Sequence, residues 1–296
     1  MKKLLFIVNP YAGMRRVNRN LSDIVSVFNR ADYEVVIYMT AGQGDATRIA
    51  EAKARDASLV VCAGGDGTFN EVLTGVLRSG CGTPIGYIPC GSTNDFGASL
   101  GLSANVVQAA WDIVNGGEAR YDVGKFGDRY FSYVASFGAF TRSSYSTPQN
   151  VKNMLGHTAY LLEGIQELSQ LRPEHVRIEL DDRVIEDDYL FGAVSNSTSV
   201  GGILTLDPKQ VDLKDGRFEL LLVRAPRDLT ELSECVRALR TQRYNCGMIT
   251  FLSTDKLRIF TDREIPWSLD GERAEGQKEV FVENLHLAMR MMVKKT

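Results

Sequence analysis

Residues 58–72 read Ser58-Leu59-Val60-Val61-Cys62-Ala63-Gly64-Gly65-Asp66-Gly67-Thr68-Phe69-Asn70-Glu71-Val72. Ser58 to Ala63 is an almost unbroken apolar run of strand length, and Val72, Leu73, Val76 and Leu77 then recur on one face of a helix that starts near Thr68. Glycines fill the turn between them, because glycine tolerates positive φ and lets backbone N–H groups approach an anion with no Cβ in the way. A strand turning sharply into a helix is the repeating unit of a layered α/β domain. The helix also aims its unpaired N–H groups and positive dipole end at that turn, which makes phosphate the natural guest. Asp66 is awkward there. A carboxylate repels a polyphosphate unless a cation intervenes or it contacts another group, so Asp66 hints at Mg2+ or a hydroxyl. Taken alone, these residues also fit a tight turn in which Asp66 and Thr68 only cap the helix.

The pattern repeats on both sides of this stretch. Leu4 to Val8 is a strand stopped by Asn9-Pro10, and Val17, Leu21, Ile24, Val25 and Phe28 follow at helical spacing. Glu34 to Tyr38 and Pro84 to Ile88 read as further strands. Asp45 to Ala54 and Val106 to Asn115 read as helices, the latter ended by Gly116-Gly117. After about Tyr121 the rhythm changes to short β-rich runs: Arg129 to Ala135, Val176 to Leu180, Tyr189 to Val194, Phe218 to Val223, Ile249 to Leu252, Leu257 to Phe260 and Val280 to Val282. Turns such as Asp181-Asp182 and Asp215-Gly216 separate them, and two helical stretches, Asn150 to Leu171 and Leu229 to Arg243, interrupt them. The expected plan is an α/β nucleotide-binding domain over 1–122 and a β-rich domain, an antiparallel β-sandwich, over 123–285. Residues 286–296 then form a C-terminal segment that returns to the first domain, and chemistry is expected in a cleft between the two domains.

Composition narrows the function classes. With 296 residues, 44% hydrophobic and 24% charged, the chain has apolar material for two ordinary cores and is not disordered. A net charge of -3 supplies no field that would hold a polyanion, so a nucleic-acid partner is disfavoured. Cys62, Cys81, Cys90, Cys235 and Cys246 are odd in number and scattered, with no C-x-x-C pair, and read as reduced thiols of a cytoplasmic protein. The N-terminal apolar stretch is too short for a signal peptide, and no run approaches the ~20 residues that cross a bilayer. Any association with a membrane is therefore peripheral. Arg237, Arg240 and Arg243, beside the apolar stripe Leu229, Leu232, Val236 and Leu239, suit anionic lipid, although a solvated helix face is the commoner meaning of such a pattern. Trp111 and Trp267 are expected in the core.

Gly64-Gly65-Asp66-Gly67-Thr68 resembles the signature shared by diacylglycerol and sphingosine kinases, NAD kinases and phosphofructokinases. The extension Phe69-Asn70-Glu71-Val72 resembles its lipid-kinase branch. Asn9-Pro10-Tyr11-Ala12-Gly13 is similar to the Asn-Pro-x-x-Gly nucleotide loop of that family, with Met14 where a Lys is frequent and Arg15, Arg16 and Arg19 close behind. Gly91-Ser92-Thr93-Asn94-Asp95-Phe96 resembles its Gly-Thr-x-Asn-Asp-Phe segment. The resemblance implies that ATP is bound by Asn9, Pro10, Tyr11, Ala12, Gly13, Thr40, Gly64, Gly65, Asp66, Gly67, Thr68, Phe69, Asn70 and Ser92, with Asp95 at the acceptor headgroup.

Two acidic segments complete the resemblance. Leu269-Asp270-Gly271-Glu272 is similar to the family's Asp-Gly-Glu, which implies Glu272 as general base with Asp270 beside it; a lipid alcohol must lose its proton as it attacks the γ-phosphorus. By itself the tetrapeptide is an Asp-Gly hairpin with a solvated Glu. Asp212-Leu213-Lys214-Asp215-Gly216-Arg217 resembles the family's structural Mg2+ site, implying Asp215 as ligand, Asp212 and the Arg217 carbonyl beside it, and Asp122 linked through water. Together these imply an ATP- and Mg2+-dependent kinase of a lipid hydroxyl, diacylglycerol-like first, working at a membrane surface; a homodimer is compatible with all of this. The alternatives are an NAD kinase-like enzyme, against which Asn70-Glu71 and Asp270-Gly271-Glu272 speak, and a catalytically silent nucleotide- or lipid-binding relative.

Overall fold

The computed structural model describes residues 1–91, 94–138, 172–200, 204–207, 209–244 and 246–295. The helix expected over Asn150 to Leu171 lies outside the described residues. The chain forms two compact units, the first made of Met1–Val123 and Leu285–Thr296 and the second of Gly124–Asn284.

The first unit runs β1 (Lys2–Val8), α1 (Arg16–Arg30), β2 (Tyr33–Met39), α2 (Asp45–Lys53), β3 (Leu59–Gly64), α3 (Asp66–Ser79), β4 (Ile85–Pro89), α4 (Asp95–Ser99), α5 (Val106–Asn115) and into β5 (Gly117–Phe126). Strands β2, β1, β3 and β4 lie side by side in that order, all parallel. β1 and β3 are central, and every residue of β3 is buried, which is why their sequences are continuous apolar runs with no alternation. Leu4, Phe6, Val8, Leu59, Val61 and Ala63 on one face meet Val17, Ile24 and Phe28 of α1 and Val106, Ala109 and Ile113 of α5. On the other face α2 and α3 pack against each other and α3 lies against β3. Trp111, expected in the core, is 37% exposed instead: the buried stripe of α5 is Val106, Ala109, Ala110 and Ile113, and Trp111 falls between its members.

Among the described residues the second unit pairs its strands antiparallel. It contains β6 (Arg129–Phe131), β7 (Val134–Gly138), β8 (Glu174–Glu179), β9 (Val184–Ser195), the short pair β10 (Ser199–Val200) and β11 (Leu204–Thr205), β12 (Phe218–Arg224), α6 (Leu229–Thr241), β13 (Ile249–Thr254), β14 (Lys256–Thr261), β15 (Trp267–Leu269), β16 (Glu272–Ala274) and the start of β17 (Glu279–Val293). The long strand β9 serves two layers. Val184 to Tyr189 pair with β8, whereas Phe191 to Ser195 pair with β7 on one side and β12 on the other. β8 continues through β14 to β17, and β7 continues through β15 to β16. Phe131, Phe137, Ile178, Phe218, Leu220, Ile259, Trp267 and Val282 fill one shared core, the sandwich that the short β-rich runs led us to expect.

Strand β17 is longer than the Val280 to Val282 run suggests. It spans 15 residues, and Leu287, at φ 51, puts a local irregularity in it. Its far end returns to the first unit, where Met291 pairs in parallel with Ile85 of β4.

Candidate active site

In the first unit the chain passes from β1 through α1 to β2 on one side and takes up β3 on the other. The carboxyl ends of β1 and β3 therefore flank the point where strand order reverses, the place at which open α/β sheets bind ligands. Asn9 follows β1 and Gly65 follows β3. The Asn9 side chain bridges them: Nδ2 donates to Thr68 Oγ1 at 3.1 Å, and Oδ1 accepts from Tyr11 N at 3.0 Å. Thr40, just past β2, is held at the same edge by its N–H on the Val8 carbonyl.

Helix α3 starts two residues earlier than expected, at Asp66, because Gly65 is extended (φ -88, ψ -177) and takes the N-cap position. The first helical bond runs from Phe69 N to the Gly65 carbonyl. The N–H groups of the preceding positions thus belong to the unpaired first turn and, with the helix dipole, form an anion-binding end. The loop is built by close approach. A Cβ on Gly91 would come 2.6 Å from Gly65 Cα, and one on Gly13 would come 1.8 Å from the Cys90 carbonyl oxygen with φ at +53. Three backbone segments, after β1, β3 and β4, are thereby pressed together with no side chain between them.

Asp66 is 8% exposed and its carboxylate is already engaged. Oδ1 accepts from the Tyr87 hydroxyl at 3.2 Å and Oδ2 from Asp95 N at 2.8 Å. Burial pushes its pKa up to about 6, with the Asp95 charge adding to the effect and the Asp95 N–H opposing it. Phe69, a candidate nucleotide contact, is fully buried and stacks between Tyr87 and Phe96 at ring distances of 4.7 and 5.0 Å. Its side chain supports the loop from beneath, and that of Asn70, 7% exposed, is also enclosed. Pro10 and Ala12 are half-buried, and Tyr11 is 74% exposed on the rim. Asn94, at φ 53, clasps Gly91 through both side-chain atoms and sets up the start of α4 at Asp95. Ser92 lies outside the described residues, as do the side chains of Arg15 and Arg16.

Glu71 has a structural task that the sequence did not disclose. Its Oε1 accepts from Gly44 N at 2.8 Å and its Oε2 from Ala46 N at 3.1 Å, capping the N-terminus of α2, where Gly44 offers no side-chain cap. A carboxylate at a helix N-terminus stabilises by charge as well as by hydrogen bonding.

In the second unit Asp270 and Gly271 form the two-residue turn between β15 and β16, with φ 51 and 83. This is the left-handed pair that such hairpins require. Asp270 points inward, at 4% exposure. Oδ2 accepts from Ser132 N at 2.6 Å and Ser132 Oγ at 2.8 Å, and Oδ1 from Tyr133 N and Val134 N at 3.0 Å each. Burial raises its pKa to about 6, while these donors pull it down. Asp270 is thus the anchor of the turn. Glu272, the first residue of β16 and half-buried, is placed by that anchor and by pairing with Leu269. Ser132, Tyr133 and Val134 carried no sequence signal, since they act mainly through backbone N–H groups.

The 212–217 loop precedes β12. Asp212 accepts from Lys214 N, Asp215 accepts from Arg217 N at 2.9 Å, and the Arg217 carbonyl accepts from Asn284 Nδ2 at 3.1 Å. Beneath it lies Glu219, 2% exposed, whose pKa is pushed up to about 8 by burial first and then by Asp215 and Asp212. Asp122, fully buried in β5 of the first unit, accepts from Leu287 N at 2.7 Å and contacts His286 Nδ1 at 3.0 Å. The described cysteines are all free thiols. Among the described residues no helix is long and apolar enough to cross a membrane.

Known proteins resemble this chain over nearly its whole length. A family model described as a diacylglycerol kinase catalytic domain matches residues 3–126, and one described as a YegS C-terminal NAD kinase beta sandwich-like domain matches residues 135–292. The diacylglycerol kinase of Bacillus subtilis (strain 168) is 33% identical over 274 residues, covering 92% of this chain and 90% of that one. That of Staphylococcus haemolyticus is 34% identical over 268 residues, covering 90% and 81%. A crystal structure from Bacillus anthracis str. Sterne, described as a candidate diacylglycerol kinase, superposes with a TM-score of 0.81 at 26% identity over 99% of this chain and 97% of that one. A chain that shares a third of its residues with such an enzyme across nine-tenths of both belongs with it: this protein is a member of the diacylglycerol kinase family.

Proposed function

We propose that this protein transfers the γ-phosphoryl group of ATP to the hydroxyl of a lipid, diacylglycerol or a close analogue, at a membrane surface. The observation that carries this reading is the Asn9 to Thr68 bridge, which lays the glycine turn and the N-terminus of α3 across the switch point of the parallel sheet. That arrangement suits a polyphosphate. The N–H groups of the first turn of α3 hold it, Gly13 and Gly91 let the neighbouring backbones approach, and Thr40 closes the edge.

Glu272 receives the proton of the attacking hydroxyl. A rigid Asp270 anchor keeps the carboxylate from wandering, and catalysis of phosphoryl transfer consists mostly of such positioning and of charge stabilisation. Asp95, tied through its N–H to Asp66, is the candidate for the acceptor headgroup. The orphaned buried oxygen of Glu219 beneath Asp215, Asp212 and the Arg217 carbonyl fits a divalent cation at the 212–217 loop. Mg2+ there would offset the carboxylate charge and order the loop, and Mg2+ on ATP would reduce repulsion from Asp66.

The test is label transfer from γ-labelled ATP with Mg2+, offered diacylglycerol, sphingosine-type bases, phosphatidylglycerol and NAD. The NAD arm is included because the C-terminal family model is NAD kinase-like. We expect transfer to the lipid, and Glu272→Gln to slow it by about 10²–10⁴-fold with the KM for ATP unchanged. Label reaching only NAD would overturn the lipid reading, and a fully active Glu272→Gln variant would remove Glu272 as the base.

A further inference from the structure

Glu219 is the second residue of β12. Its neighbours Phe218 and Leu220 point into the sandwich core, so strand alternation puts Glu219 on the opposite face. Directly across from it stand Ser195 of β9 and Ser253 of β13. The 212–217 loop folds over that face: Arg217 donates from Nε to Ser253 Oγ at 2.9 Å and from Nη2 to the Ser253 carbonyl at 2.7 Å. Asp215 and Asp212 are the negative charges that act on Glu219, and Arg217 is the positive one. In this setting Glu219 Oε2 is buried with no hydrogen-bond partner among the described residues.

Beside the charges of Asp215 and Asp212, a buried carboxyl oxygen without a partner stays ionised only if something supplies both positive charge and a donor. A hydrated divalent cation supplies both. Among the described residues no three Asp, Glu, His or Cys side chains converge closely enough to share an ion directly. A shell made of Asp215, backbone carbonyls and water needs no such convergence, because Mg2+ is content with one or two carboxylates and keeps several waters. We propose that Glu219 is a positioning residue of this cation site, accepting a hydrogen bond from water in the ion's shell and so fixing the 212–217 loop on β12. The proposal rests on the metal reading given above, and groups in the layer behind the ligands routinely set metal affinity by 10–100-fold.

The experiment titrates Mg2+ into the chelator-treated full chain, reading the binding constant by calorimetry and the unfolding midpoint by differential scanning fluorimetry. Wild type, Asp215→Asn and Glu219→Gln are compared. Wild type is expected to bind Mg2+ and gain about 5 °C or more at a hundredfold excess over Kd. Asp215→Asn should lose binding. Glu219→Gln should keep its metal-free midpoint but bind Mg2+ at least tenfold more weakly. If Glu219→Gln does not fold, Glu219→Met, which needs no donor, takes its place with the same expectation. Wild-type affinity in the Glu219 variant, with binding lost in Asp215→Asn, overturns this proposal alone. No Mg2+ response in wild type overturns both the proposal and the metal reading beneath it.

Discussion

Replacing Gly13 by alanine tests how the nucleotide edge is assembled. At φ +53 an alanine pays about 1–2 kcal/mol for the left-handed conformation. Its Cβ would also sit 1.8 Å from the Cys90 carbonyl oxygen, where ordinary contact begins at 3.4 Å, so the 9–13 loop must retreat by 3.4 minus 1.8, or 1.6 Å. Forcing such an overlap costs about 1–3 kcal/mol more. Gly80, the C-cap of α3, provides the reference: it has φ +64 and nothing within 4 Å of an added Cβ, so Gly80→Ala pays only the conformational part. The difference between the variants is then about 1–3 kcal/mol, or about 2–12 °C in the unfolding midpoint. The retreat also carries Asn9 away from Thr68, and displacement on that scale should raise the KM for ATP by about 10–100-fold in Gly13→Ala and leave it unchanged in Gly80→Ala. The assay is a thermal melt beside a steady-state ATP titration for both proteins. Equal melting losses with unaltered KM values would refute the idea that the loop after β1 is latched onto the end of β4.

Two further outcomes follow from carboxylates in the first unit. Asp66 is raised to about 6 from the ~3.9 of an unfolded chain, so the folded protein holds a proton that the unfolded one has released, and its contribution falls as pH rises from about 4 to 6. Asp66→Asn removes that slope: subtracting its melting curve from wild type across pH 4.5–7.5 should leave a term that declines with pH, and a flat difference would contradict the raised pKa. Glu71→Ala strips the cap from α2 and should cost about 1–2 kcal/mol, with amide exchange quickening first at Gly44 and Ala46. Uniform exchange across the unit would show that Glu71 acts elsewhere.

Much of the first unit was legible because its central strands are buried on both faces. The runs from Leu4 to Val8 and Ser58 to Ala63 had no alternation to confuse, and the helix from Val106 to Asn115 announced its end in Gly116-Gly117, while its start is capped by Asn105, which accepts from Val107 N and Gln108 N. What stayed hidden was polar or distant. β5 reads Gly-Glu-Ala-Arg-Tyr-Asp-Val-Gly-Lys-Phe, too mixed for a strand signal, and the later part of β17 carries Glu283, His286 and Arg290 on a partly exposed ribbon. The site followed the same rule. Its motifs are local and could be read, but their supports are not: the Ser132 to Val134 donors to Asp270 lie 136–138 positions away, and Tyr87 and Asp95 reach Asp66 across 21 and 29. A turn's residues show that it turns, and only the fold shows what its carboxylate faces.

The return of β17 has a bearing on how this chain can be cut. The first unit is discontinuous, its last strand arriving after the entire second unit has been made. A fragment ending at Val123 would leave the outer edge of β4 without the pairing Met291 gives it, and an uncovered parallel edge invites association with other chains. The second unit is in effect a long insertion into an α/β domain. A faithful isolated first unit would therefore splice 1–123 to 285–296, and on a ribosome its sheet would be completed only after the second unit had been made.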